Sequence, residues 1–197
     1  MTTNMTIDKS RTAILIMDYE NEIVSMLSED KQKMLLQNAK QVLDAARQVT
    51  LPVIFVAVRF RDGHPEISPK NKRFSRVKNA GRLVEGTKGA DIHPALAPQP
   101  DEAVVAKRRV GAFSTTDLAP ILKAKEIDTL VLLGIATHGV VLSTVCWAAD
   151  MDYELVVVSD GCADFDEEVH RVLTEKIFPQ SATVVTTEEL VQALKSS

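Results

Sequence analysis

Two hydrophobic rhythms alternate along the chain. Short β-branched runs recur at residues 12–17, 53–58, 103–106, 129–135, 155–159 and 182–185, and each reads as a strand. The runs that begin at 53, 129 and 155 are apolar at almost every position. They lack the in-and-out alternation of a half-exposed strand, which predicts strands covered on both faces. Between the runs the period lengthens. Residues 31–49 place Met34, Leu35, Ala39, Val42, Leu43 and Ala46 at helical spacing. Residues 115–125, 138–150 and 166–177 read the same way, and 188–195 closes the chain. This repeat predicts an α/β fold, with a mostly parallel sheet, helices on both faces and right-handed crossovers.

One segment breaks the rhythm. Residues 59–102 carry prolines at 65, 69, 94, 98 and 100, and the basic side chains Arg59, Arg61, Lys70, Lys72, Arg73, Arg76, Lys78, Arg82 and Lys88. So long an excursion between strands needs structure of its own, and a short helix is expected near 74–84. Its charge has two readings. One is a solvated basic face; the other is an anion-attracting mouth over a site.

Composition narrows the class. The 197 residues are 45% hydrophobic and 25% charged. That is the mix of a globular chain, and one this long buries roughly 70% of its unfolded surface. Disordered and collagen-like classes are excluded. A single domain over 1–197 is expected, opened by a polar segment, 1–11, without the apolar core of a signal peptide. The 23 lysines and arginines against 27 acids give a net charge of −4. The molecule as a whole therefore has no attraction for nucleic acid or an anionic membrane. No apolar run approaches the roughly 20 residues of a membrane span. Two cysteines, Cys146 and Cys162, are too few for a disulfide scaffold. The expectation is a cytoplasmic protein whose partner is a small molecule.

Ligands of open α/β sheets bind beyond the carboxyl ends of the strands, so the residues after each strand carry the chemistry. Asp18 follows the first, Lys107 the third, and Asp160 the fifth. After the fourth comes Gly134-Ile-Ala-Thr-His-Gly-Val, a small-residue turn into a helix. Each has a plain structural reading as a cap, a strand-end lysine or a packing turn. Together they place a carboxylate and an amine on one edge, and a buried pair of that kind perturbs pKa values where acid–base work is done. The turn's N–H groups, at Ala136, Thr137, Gly139 and Val140, are candidates for an oxyanion hole. Tyr19, Asn21, Phe60, Phe113 and His138 are candidate substrate-binding residues.

At these residues the chain resembles the isochorismatase-like, or cysteine hydrolase, superfamily. The resemblance runs over 12–194 and rests on three blocks: Ala13-Ile-Leu-Ile-Met-Asp18-Tyr-Glu-Asn; Val104-Val-Ala-Lys107 with Ala112-Phe113 and Leu118; and Gly134-Ile-Ala-Thr137 with Ser143-Thr144 and Ala148. It implies a Rossmann-like three-layer α/β/α sandwich on a six-stranded sheet. It also implies a non-proline cis peptide at Ile135–Ala136, a homodimer or homotetramer, and catalytic roles for Asp18 and Lys107. No motif calls for a cofactor.

The chain departs from the family at the nucleophile. The family's cysteine position, three residues after Thr137, is Val140, which can only pack. Cys146 lies six residues further along the helix, on another face, and reads as core. Cys162 follows the fifth strand and also reads as packing. The usual Asp-x-Gln is here Asp18-Tyr19-Glu20, which adds a charge near the site. Asp62-Gly63-His64 has the spacing of a nicotinamidase metal motif, but the next histidine, His93, lies 29 residues on in a proline-rich loop. No metal is expected. Three hypotheses follow. The first is a thiol-free hydrolase in which Asp18 protonates the substrate, or activates water, and Lys107 orients it or stabilises developing charge. The others are an amidohydrolase with a misplaced thiol, and a non-catalytic binding protein on the same scaffold.

Overall fold

The computed structural model describes residues 7–196. Of the polar opening segment, residues 1–6 lie outside that range. Six strands form the sheet: β1 (Thr12–Met17), β2 (Val53–Val58), β3 (Ala103–Lys107), β4 (Thr129–Ile135), β5 (Glu154–Ala163) and β6 (Thr183–Val185). Their order is β3-β2-β1-β4-β5-β6 and every pairing is parallel. The helices are α1 (Asn21–Val24), α2 (Glu29–Gln48), α3 (Lys72–Asn79), α4 (Leu118–Ala124), α5 (Leu142–Ala149), α6 (Glu167–Val172) and α7 (Thr187–Ser196). None of them is long and apolar enough to cross a membrane.

Alternate residues of each central strand feed two cores. Ile14, Ile16, Phe55, Val131 and Leu133 pack on one face against Leu35, Ala39, Val42 and Leu43 of α2 and Leu190 and Leu194 of α7. Ala13, Leu15, Ile54, Val56, Leu130 and Leu132 pack on the other, against Leu118 and Leu122 of α4 and Val145 and Ala148 of α5. Three layers result. They explain the missing polar alternation, because β1, β2 and β4 have no solvent face.

The excursion over 59–102 builds a small core of its own. Phe60, Ile67, Phe74 and Leu83 cluster with Val58 at the end of β2. The expected helix at 74–84 lies earlier, as α3, because the Asn71 side chain accepts from the Phe74 N–H and caps it there. Two other expected helices are interrupted. The expected 138–150 helix opens as a wide π turn over Thr137–Val141 before α5, and 166–177 becomes α6 plus a second π turn over Leu173–Ile177. The fifth strand runs four residues past its expected end at 159. Asp160 therefore stands inside β5, where its Oδ1 accepts from the Thr187 N–H and hydroxyl and caps α7.

Candidate active site

The sheet order reverses direction between β1 and β4, and an open sheet forms its crevice at such a switch. A cavity of about 630 Å³ lies there. Asp18, Val58, Lys107 and Ile135 line it from the carboxyl ends of β1, β2, β3 and β4. Lys72, Arg73, Phe74, Arg76 and Val77 of α3 supply a wall, and Ala136, His138, Gly139 and Val140 another.

Asp18 leaves β1 with φ 59°, a left-handed conformation that aspartate tolerates better than most residues. Its Oδ2 lies 2.9 Å from Lys107 Nζ. The same Nζ donates to the carbonyls of Arg109 (3.0 Å) and Val110 (2.9 Å). Three acceptors engage the three N–H groups of an ammonium, so Lys107 has none left for a substrate. Its geometry suits holding Asp18 rather than orienting the substrate. Both residues are buried, and Asp18 Oδ1 has no partner. Burial pushes the Asp18 carboxyl up to about 6, against the opposing pull of Lys107 and the Val58 N–H.

Glu20 corrects an expectation. It is fully buried, and neither carboxyl oxygen completes a hydrogen bond. Burial, reinforced by the charge of Asp18, lifts it well above the usual carboxylate range, and Lys107 only partly offsets this. Glu20 is therefore biased towards its neutral, protonated form. A neutral acid there has nearly the shape of the glutamine expected at that position.

Across the cavity, the Ile135–Ala136 peptide is cis and leads into the π turn. The Gly139 N–H is bonded to the Ala136 carbonyl at 2.9 Å and the His138 N–H to Asp164 Oδ2 at 2.8 Å. That removes Gly139 from the expected oxyanion donors. Thr137 is fully buried and does not line the cavity, and its Oγ1 pairs with His170 Nδ1 at 2.8 Å. Burial holds His170 below the ordinary histidine value. His138 Nδ1 meets Asp164 Oδ2 at 2.7 Å. Val140 is buried and lines the cavity with a side chain of two methyl groups. Gly139 permits the close approach of α3, since a Cβ there would stand 3.1 Å from Arg73 Nη1.

Four expected substrate contacts lie elsewhere. Tyr19 is buried in the α2 core and its hydroxyl donates to the Gly161 carbonyl. Asn21 donates to the Lys88 carbonyl. Phe60 packs in the excursion's own core, edge-on to Phe74. Phe113 stacks on Trp147 at 4.2 Å between ring centres. His138 alone of the five lines the cavity. Neither cysteine does. Cys162 is buried, which pushes its thiol up to about 12, and Cys146 is exposed. His64 turns Nε2 to the Arg82 carbonyl at 2.7 Å.

Sequence reasoning left out Asp164 and did not single out particular cations of the excursion. Asp164 was legible in principle, since it follows β5 as Asp18 follows β1; the strand end set at 159 hid it. Of the excursion's cations, Lys72, Arg73, Arg76 and Arg82 face the cavity. Arg82 is tied to Glu22, and the other three make no ion pair among the described residues.

Residues 12–189 match the isochorismatase domain. The chain belongs to the isochorismatase family. It is 32% identical over 195 residues to the family protein YwoC of Bacillus subtilis, covering 99% of this chain and 100% of that one. It is 27% identical over 192 residues to the isochorismatase of the same organism, covering 96% of this chain but 60% of that longer protein. An isochorismatase family protein from Burkholderia thailandensis superposes with a TM-score of 0.83 at 28% identity, over 96% of this chain and 98% of the other. The family is one of hydrolases, and its three-layer fold is the one described above.

Proposed function

We propose that this chain hydrolyses a small, carboxylate-bearing molecule by proton transfer from Asp18, without a covalent thiol intermediate. The carrying observation is Asp18 itself. One oxygen is fixed by Lys107, the other is unpartnered, and the carboxyl lines the cavity with an affinity for protons raised to about 6. An acid so poised donates efficiently near neutral pH. Val140 supports the thiol-free route, because it offers nothing to form an acyl-enzyme. Lys72, Arg73 and Arg76 support the anionic substrate, since an ammonium attracts a carboxylate and guanidinium groups pair with one bidentately. The similarity to an isochorismatase favours vinyl-ether cleavage, in which Asp18 protonates carbon.

The test is turnover of isochorismate, nicotinamide, N-carbamoyl compounds and aryl esters by the wild type beside Asp18→Asn. Loss of about 10²–10⁴-fold in kcat is expected for the variant; full turnover by it refutes the reading. The pH profile separates acid from base. A donating Asp18 gives a kcat that falls as pH rises through about 6, whereas an Asp18 that activates water gives one that rises. A binding protein on the same scaffold is favoured only by Val140. Absence of turnover on every substrate, with tight binding of one of them, would establish it.

A further inference from the structure

We infer that His138, held by Asp164, is the base of this site and takes the proton from the water that attacks the substrate. The inference rests on the thiol-free reading above. With Val140 in the nucleophile's place, water must be the nucleophile. An Asp18 that has a proton to give cannot at the same moment remove one from water. Among the residues that line the cavity, only Asp18 and His138 have side chains with a free acceptor atom for a proton; the other titratable groups are lysines and arginines.

The geometry prepares His138 for this role. Asp164 is almost completely buried and receives the His138 backbone N–H at 2.8 Å, the ring Nδ1 at 2.7 Å and the Asp166 N–H at 3.3 Å. A carboxylate only accepts, so a neutral imidazole facing it carries its proton on Nδ1 and leaves Nε2 as the acceptor. The His138 side chain is 39% exposed while that of Asp164 is 1% exposed. The ring edge away from Asp164, which bears Nε2, is therefore the accessible one, and no described residue pairs with it. Aspartate fixing a histidine tautomer from behind is the arrangement of the serine-protease base. Here it faces a cavity without a serine.

For a vinyl ether the protons balance without a further reagent. Asp18 protonates the terminal carbon and the double bond becomes an oxocarbenium ion. Water oxygen bonds to its carbon, and His138 Nε2 takes a water proton. The carbon–oxygen bond of the hemiketal then breaks. The imidazolium protonates the departing oxygen, and the Asp18 carboxylate recovers a proton from the remaining hydroxyl. One water is consumed and both residues return to their starting forms.

Two measurements test the base. The first uses p-nitrophenyl acetate, whose leaving group departs without a proton, so that water activation is read alone. Wild-type hydrolysis above the buffer rate is expected, with His138→Gln slower by at least about 100-fold. No wild-type hydrolysis, or an undiminished rate in His138→Gln, overturns the proposal. On isochorismate, a dead Asp18→Asn beside a fully active His138→Gln would remove the base and leave the acid standing; the reverse pattern would do the opposite. The second measurement needs no substrate. Nitrogen-15 NMR should find the His138 proton on Nδ1, and a proton on Nε2 overturns the proposal. In Asp164→Asn the tautomer should shift and kcat should fall with KM little changed, which separates positioning from a folding defect.

Discussion

The two walls of the cavity solve opposite problems. On the β1–β3 side, Asp18, Glu20 and Lys107 are all buried, and one ammonium stands among two carboxyls with three oxygens left unpartnered. On the β4–β5 side, Asp164 has a donor at each oxygen and the histidine it holds is partly open to the cavity. The first wall uses desolvation: with too few hydrogen bonds to stabilise charge, its carboxyls grip protons more tightly. The second uses hydrogen bonds, which direct a proton to one ring nitrogen without withdrawing the ring from water. On the reading proposed above, a carboxyl starved of partners serves as the acid and a ring aimed by one partner serves as the base.

Removing the cation breaks the first wall hardest. Lys107→Met leaves Asp18 without its counter-charge in a dry site, and loss of one partner of a buried pair costs about 3–5 kcal/mol. The loss should be large in denaturant melts at pH 8 and small at pH 5. There Asp18, already raised to about 6 and raised further without its cation, is protonated in the folded state. Equal losses at both pH values would mean that packing, not charge, is what Lys107 supplies. Glu20→Gln should act the other way. The Glu20 carboxyl is raised on folding, so its contribution is fully present below its unfolded value of 4.5 and is lost as pH rises. Glutamine removes that titration. The variant should match the wild type near pH 4 and gain about 1.4 kcal/mol per pH unit above 4.5 until the folded Glu20 ionises. A pH-independent difference would show that Glu20 is charged in the folded protein.

The fold was legible because burial on both faces leaves a plain mark. Six apolar runs became six strands within one residue of the expected bounds, except at the far end of the fifth. That end is polar and bulged; Ser159, Asp160 and Gly161 carry no β-branched signal although they continue the ladder to Cys162 and Ala163. Asp164, not Asp160, is therefore the carboxylate that follows the strand. Asp18, Lys107 and Val140 all line the cavity, a position readable in sequence because each is tied to a strand end or a turn. The aromatic candidates failed for a general reason. Sequence places Phe60 and Phe113 near the right edge but cannot say which way a ring points, and a large apolar ring is more often drawn into a core. Glu20 shows the same limit in charge, because one letter does not reveal whether water reaches it.

Phe113→Leu sharpens that distinction. It removes the stack on Trp147, so a loss of about 0.5–1.5 kcal/mol beyond the change in buried area is expected, with KM unaffected. A changed KM with intact stability would return Phe113 to the substrate site.

The smallest perturbation probes the ground between the walls. Val140→Cys replaces two buried methyl groups by one sulfur and should cost about 1 kcal/mol or less. The new thiol would line the cavity near the end of the π turn that leads into α5, and a helix entry of this kind lowers a thiol's pKa. In a Cys146→Ser background it should be alkylated by iodoacetamide at pH 7, while Cys162, pushed up to about 12 by burial, stays unmodified. Slower labelling after Asp18→Asn would assign the thiol's proton to the first wall, and slower labelling after His138→Gln to the second. If neither substitution slows it, the two walls do not share a reacting centre, and the division of labour between a dry acid and an aimed base is wrong for this cavity.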